Sequence, residues 1–423
     1  MTRAIMVRHI LAALVTALAI VPPVARADSG SVSVPPPAPG PSLGRETPVP
    51  RVWTGTWEAA ASGTVPAKPD TSIRNVLHIS VGGSALRVRL SNRLGTKPLR
   101  LGAVTVALQA LGEPKSPDAQ PGSMRTATFA GARTVTIPAG QDRVTDTVAL
   151  AVPAGANLLV TVHTPGDSGP MTYHRAARQT NFLAPKGNWA ALEDGDAYTK
   201  TLGSWYYVTG VDVLDAPAAG SVVALGDSLT DGGNTASDVN RRWPDRLADR
   251  LAALPPSRRL GVLNAGVSGN RVLLDGVGPS ALARFDADVL SRTRVRALIV
   301  FEGVNDINGT PEQTVPSAFQ QAYKSLVTRA HAHGIRVIGA TITPYGGHAR
   351  WSQAHESVRR QVNSVIRGGG LFDAVVDFDA AVRDPAFPHR MRGAYDSGDH
   401  LHFNAAGMRA MADSVDLADL RGL

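Results

Sequence analysis

The sequence predicts an α/β fold, a doubly wound α/β/α sandwich on a parallel sheet, preceded by an all-β sandwich domain. Three observations carry this. Between Trp53 and about Asp215, short alternating or β-branched runs are separated by Gly, Pro and Asp clusters, with no helical period. From Ser221 the rhythm switches to strands that alternate with helical stretches. Those later strands are largely apolar without alternation, the pattern of a parallel sheet covered on both faces.

In the first half, Leu86-Arg87-Val88-Arg89-Leu90 alternates strictly, whereas Val104 to Leu108, Thr134 to Ile137 and Leu158 to Val162 are β-branched or apolar runs. A jelly-roll-like sandwich follows for residues 51–215. In the second half, 216–423, strands are expected at Ser221–Leu225, Leu260–Asn264, Val295–Phe301, Ile335–Ile342 and Ala374–Phe378. Helices are expected at Trp243–Leu254, Ser280–Leu290, Pro316–His333, Trp351–Arg367 and Asn404–Leu417.

The 423 residues suffice for two domains, and a 43% hydrophobic, 18% charged composition supports a real core. The absence of cysteine excludes disulfides, thiolate nucleophiles and Cys-based zinc sites. Of the formal net charge of +8, three charges belong to Arg3, Arg8 and Arg26 near the N-terminus. The rest are scattered without a block of like charge, so no nucleic-acid partner is expected. Residues 1–27 read as a signal peptide: a basic start, an apolar run from Ile10 to Val21, and Ala25-Arg26-Ala27 as cleavage pattern, with the mature start near Asp28. The apolar run is shorter than the ~20 residues of a membrane span, so no integral span is expected after its removal. The expectation is a secreted, extracellular bacterial protein. Residues 28–50 form a Pro-rich linker around Pro35-Pro36-Pro37-Ala38-Pro39-Gly40-Pro41.

In doubly wound sheets, functional groups gather beyond the carboxyl ends of the strands. The first strand is followed by Gly226-Asp227-Ser228-Leu229-Thr230 and the second by Asn264-Ala265-Gly266-Val267-Ser268-Gly269-Asn270. The third is followed by Glu302-Gly303-Val304-Asn305-Asp306, and the closing helix is preceded by Asp399-His400-Leu401-His402. These residues suffice for acyl transfer. A serine hydroxyl needs a base, a neutral imidazole is that base, and a carboxylate orients it. Asp399 and His402 are close enough for one turn to join them. The N–H groups of Ser228 and Gly269 and the side-chain amide of Asn305 are candidate oxyanion donors.

The four blocks resemble those of SGNH hydrolases, the GDSL-type lipase and esterase family. Gly226-Asp227-Ser228-Leu229 is similar to block I, Gly269 lies where the block II glycine falls, Gly303-Val304-Asn305-Asp306 is similar to block III, and Asp399-His400-Leu401-His402 to block V. The resemblance implies a flavodoxin-like fold, Ser228 as nucleophile, an Asp399–His402 relay, and an oxyanion hole of Ser228, Gly269 and Asn305. It implies neither metal nor organic cofactor. Phe403 stands where a proline is usual in block V. The resemblance covers Ser221 to about Leu417 and does not extend to residues 53–215.

The expected activity is that of an esterase working through an acyl-serine, on short acyl groups of polysaccharide or of small esters. Alternatives are a lipase or lysophospholipase, an acyltransferase, or a glycan-binding protein on a degenerate hydrolase fold. The expected partner is an ester (acylated glycan, small ester or lipid), and the expected state a monomer. Gly40-Pro41-Ser42-Leu43-Gly44 matches a nucleophile elbow but lacks its strand and helix. Gly166-Asp167-Ser168 repeats the tripeptide in the β half, where it suits a turn. His400 rivals His402, but its adjacency to Asp399 turns its side chain away. His331 and His333 suit solvated helix-end positions better than a metal site. Trp53, Trp57, Trp189 and Trp205 suit packing better than a sugar platform.

Overall fold

The computed structural model describes residues 51–112 and 115–421. The expected signal peptide, linker and Gly40–Gly44 match lie outside the described residues. The described residues fall into one compact unit.

Antiparallel sheets build the first half. A four-stranded sheet runs in the order Trp53–Glu58, Val208–Leu214, Ala85–Ser91, Asp142–Val144. A six-stranded sheet is centred on Thr71–His78, Asn157–Thr164 and Ala103–Leu108. One core lies between them, with Ile73, Leu77, Val106, Leu158 and Val160 meeting Trp57, Leu86, Val88 and Val211. The outer face of the larger sheet is covered too: Val76, Ala107 and Leu159 pack with Phe182 and Tyr198. Double coverage explains why Leu158 to Val162 reads as a continuous apolar run. Trp57 and Trp205 meet edge to face at 5.0 Å between centroids, inside this core. Trp53 lies beneath the Arg87 guanidinium and Trp189 is partly exposed, so the tryptophans form no common platform.

The second half is a five-stranded parallel sheet. We label its strands β1 (Gly220–Gly226), β2 (Leu260–Gly266), β3 (Val295–Phe301), β4 (Arg336–Ala340) and β5 (Ala374–Val376). Their order is β2-β1-β3-β4-β5, all parallel, so the direction in which successive strands are added switches between β1 and β3. Helices α1 (Ser228–Asp231), α2 (Trp243–Ala252), α3 (Ala281–Phe285), α4 (Val304–Asn308), α5 (Pro316–His331), α6 (Gln353–Arg367), α7 (Phe378–Val382) and α8 (Ala405–Ser414) flank it. Both sheet faces are buried, with Val222 to Leu225 and Leu298 to Phe301 in one core.

Several expected boundaries shift, three of them for clear local reasons. The helix expected over 280–290 is α-helical only to Phe285 and continues as a π turn over Asp286–Leu290. The helix expected from Trp351 begins at Gln353, because the Ser352 hydroxyl caps the His355 N–H at 3.1 Å. The closing helix stops at Ser414, because Asp416 starts a new turn by accepting from Ala418 N–H at 2.8 Å.

The two halves meet along a polar, buried seam. Arg292 Nε lies 2.8 Å from Glu58 Oε1, and both side chains are buried. Arg292 also donates to Thr209 O at 3.1 Å, and Thr293 Oγ1 to Asp212 Oδ2 at 2.7 Å. Ser80 Oγ accepts from Val262 N–H at 2.9 Å. A Cβ on Gly261 would lie 2.0 Å from Gly55 O, so only glycine lets β2 approach the first strand so closely.

Candidate active site

β1 delivers Ser228. A Cβ on Gly226 would lie 2.1 Å from Thr230 Oγ1, so a glycine there lets the strand turn at once into α1. Asp227 caps that helix, its Oδ1 accepting from Leu229 N–H at 2.9 Å. Gly232, at φ +96°, ends it after one turn. Ser228 is held on a rigid corner at the reversal point of the sheet, mostly buried.

The loop before α8 brings up the other two groups. His402 Nε2 lies 2.8 Å from Ser228 Oγ, and His402 Nδ1 lies 2.7 Å from Asp399 Oδ2. The second Asp399 oxygen accepts from the N–H groups of Leu401 at 3.1 Å and His402 at 2.8 Å. Asn234 Nδ2 adds a bond of 2.9 Å to Asp399 Oδ2. Burial pushes the Asp399 carboxyl up, but its hydrogen bonds to the His402 ring and to the His402 and Leu401 N–H groups outweigh it and hold Asp399 well below the usual carboxylate range. With Asp399 ionised, Nδ1 carries the hydrogen and Nε2 is free to accept from the serine. His400 takes φ +62° and turns away, bonding Asp396 Oδ2 through Nδ1 at 2.5 Å.

Gly269 follows β2 at φ +84°, a conformation that favours glycine, and a Cβ there would meet Val277 at 3.0 Å. Among the described residues, the Ser228 and Gly269 N–H groups donate to no protein acceptor. Asn305, on α4, is engaged: its Nδ2 donates to Asn270 O at 2.9 Å and to Asp227 Oδ2 at 3.2 Å. The five expected residues therefore come together. Two of the three candidate oxyanion donors are free and the third is held by neighbours.

Beneath Ser228 lies a charged floor that the sequence reading missed. Arg284 is buried, and all its donors are used: Nε to Asn270 Oδ1 at 2.9 Å, Nη1 to Ala265 O at 2.7 Å and Asp288 at 3.1 Å, Nη2 to Gly226 O at 3.0 Å and Glu302 at 3.4 Å. One guanidinium ties together the ends of β1, β2 and β3. Burial raises the carboxyls of Asp227 and Glu302 and lifts Asp306 to about 6. Asp306 accepts from Val272 and Leu273 N–H at 2.8 and 2.9 Å, which pins the chain after Gly269. The one sequence signal for Arg284 was an Arg284–Asp288 pair at i,i+4 beside the buried Ala281 and Phe285.

Gly233 was also missed. A Cβ on it would lie 2.4 Å from His402 Cδ2. Beside Gly269 and Asn305 opens a cavity of about 460 Å³, walled by Arg271, Asn308, Thr310, His348 and Arg350.

Elsewhere, Gly166-Asp167-Ser168 is a surface turn in which Asp167 pairs with Lys97 at 3.1 Å. His331 pairs with Asp373 at 2.8 Å, and His333 meets Arg329 O at 3.0 Å. No cluster of three His, Cys, Asp or Glu side chains suited to a metal occurs among the described residues. None of the described helices is long and apolar enough to cross a membrane.

Residues 224–410 match the GDSL-like lipase/acylhydrolase family. No curated protein matches the sequence significantly. Solved structures resemble the catalytic half. A protein assigned to the G-D-S-L lipolytic family from Desulfitobacterium hafniense is 24% identical, over 46% of this chain and 96% of that one, with a TM-score of 0.36. A carbohydrate acetylesterase family member from Sinorhizobium meliloti is 16% identical over 46% and 94% of the two chains, with a TM-score of 0.38. The aryl esterase of M. smegmatis is 17% identical over 46% and 94%, with a TM-score of 0.37. Residues 224–410 are a GDSL-like lipase/acylhydrolase domain, and the protein is a carboxylic ester hydrolase.

Proposed function

We propose that the protein is a secreted serine esterase that removes short acyl groups, such as acetyl, from polysaccharide or small esters. The observation that carries this is the unbroken chain Ser228 Oγ, His402, Asp399, with contacts of 2.8 and 2.7 Å. His402 Nε2 takes the Ser228 proton as Oγ bonds to the carbonyl carbon. The oxyanion forms against the Ser228 and Gly269 N–H groups, with the Asn305 amide beside them. His402 then gives its proton to the leaving alcohol as the C–O bond breaks. Water adds to the acyl-serine, losing a proton to His402, and the acid leaves as Ser228 recovers its hydrogen.

The cavity beside the oxyanion donors favours a polar ester over a lipid. Its wall sets Arg271, Asn308, Thr310, His348 and Arg350 beside only two apolar side chains, Val277 and Leu401, which gives hydrogen-bonding partners to a polar ester and little apolar length to a long acyl chain. Export rests on the leader at residues 1–27, which would leave a mature chain starting near Asp28. Residues 51–215 act as a brace for the catalytic residues of 216–423.

The test is a series of p-nitrophenyl esters from acetate to octanoate, together with acetylated xylan. The reading expects kcat/KM to fall as the acyl chain lengthens and acetate to be released from xylan. A rise toward octanoate would overturn it in favour of a lipase.

A further inference from the structure

The β-rich half reaches into the active site at one buried point. His174, at the end of strand Met171–His174, has its ring between two groups: Nδ1 lies 2.8 Å from Ala60 O and Nε2 lies 3.0 Å from Asp231 Oδ1. A carbonyl oxygen only accepts, so Nδ1 carries a hydrogen. A neutral ring would then aim its Nε2 lone pair at a carboxylate oxygen. The arrangement is satisfied when the ring is an imidazolium and Asp231 a carboxylate. Both side chains are 3% exposed, so this is a buried ion pair. Burial opposes charge on each, yet their attraction wins: His174 is raised and Asp231 lowered from their ordinary values. Arg242 also faces the pair, disfavouring the imidazolium and favouring the carboxylate, and Asp227 lies within electrostatic reach of Asp231; the Trp205 ring packs at 5.4 Å from the imidazole.

Asp231 is the last residue of α1, the helix that begins with Ser228. Its other oxygen accepts from Ser268 N–H at 2.9 Å and from Ser268 Oγ at 2.5 Å. Ser268 immediately precedes Gly269. A Cβ on Gly266 would lie 2.3 Å from Asp231 N, so the end of α1 and the end of β2 are in direct contact. The β-rich half touches the same loop again further on, where a Cβ on Gly278 would lie 3.3 Å from Ser62 O.

We propose that His174 is a positioning residue for ester hydrolysis: through Asp231 it fixes the Ser268–Gly269 turn against the Ser228 helix, making the β-rich half a working part of the active site. This rests on the reading of Ser228 and Gly269 given above. Oxyanion donors act because they are already in place, and loss of one donor lowers kcat by about 10²–10³-fold. A loosened donor loses part of that. The signature falls on kcat, because the oxyanion exists only in the transition state and in the intermediate.

The experiment compares the parent with His174→Gln and Ser268→Ala. The readouts are kcat and KM on p-nitrophenyl acetate per site titrated by a fluorophosphonate, with Tm measured beside them. His174→Gln leaves Asp231 buried without its cation; Ser268→Ala removes one donor to Asp231 and no charge, and serves if the first variant does not fold. The inference expects His174→Gln to lower kcat about 10-fold or more, with KM within about threefold. For Ser268→Ala it expects a kcat loss of about threefold or more, again with little change in KM. If kcat per titrated site stays within about twofold in the folded variants while Tm drops, His174 only braces the fold and the inference is overturned. A parent that is not labelled at Ser228 would instead overturn the underlying reading.

Discussion

Gly233 keeps open the space in which His402 meets Ser228. A Cβ at 233 would lie 2.4 Å from Cδ2 and 2.8 Å from Nε2 of the imidazole, and the Gly233 N–H itself donates to Ser228 O at 2.7 Å. The backbone of the turn that carries Ser228 thus forms the wall against which the His402 ring sits.

Gly233→Ala should therefore push the ring off the serine without touching either residue. A misplacement of about 1 Å costs on the order of 10²-fold in rate, so kcat/KM on p-nitrophenyl acetate should fall by about that factor with Tm nearly unchanged. Parent-like turnover would show that the ring has another route to Ser228.

Asp399→Asn tests the orienting carboxylate. Its folded value is depressed, so Asp399 stays ionised at neutral pH, and the stability it confers is present above the ordinary carboxylate range and fades as pH falls through the folded value. An amide at 399 favours the wrong imidazole tautomer, and kcat should drop by about 10³–10⁴-fold while Ser228 is still slowly labelled by a fluorophosphonate. A loss under about tenfold would show that His402 keeps its working tautomer without the Asp399 carboxylate.

Ser228, Gly269, Asn305, Asp399 and His402 were legible in the sequence because each follows a strand or precedes a helix whose pattern is strong. The parallel sheet was legible for the same reason. Other features left no local pattern. His174 and Asp231 are 57 residues apart and meet only because the two halves dock. Gly233 is defined by what a side chain would strike, which spacing does not show. The π turn after Phe285 keeps Asp288 and Arg292 on the buried side, and its five-residue hydrogen-bond step has no periodicity distinct from an α-helix over so short a run.

Asp306 predicts a pH-dependent stability. Burial raises its carboxyl to about 6, above the ~3.9 of an unfolded aspartate. Between those values the folded state holds a proton that the unfolded state has lost, so this group makes stability fall as pH rises across the window. Asp306→Asn should flatten that slope in urea titrations at successive pH values between about 4 and 6. A slope equal to the parent's would place the titration on another group. Asp306→Ala should cost about 1–3 kcal/mol for each of the Val272 and Leu273 N–H groups it leaves unpaired.

The signal peptide proposed for residues 1–27 is tested by export. Produced with residues 1–27 in a secreting bacterium, the protein should appear in the medium with a chain beginning at or beside Asp28. A cell-retained chain that still begins at Met1 would contradict secretion.

The most direct test of the account is to react the protein with a fluorophosphonate and locate the adduct by peptide mass spectrometry, with Ser228→Ala assayed alongside on p-nitrophenyl acetate. The account predicts one adduct, on Ser228, together with loss of both labelling and turnover in the folded variant. Turnover that survives in Ser228→Ala, or an adduct on a different residue, would contradict it.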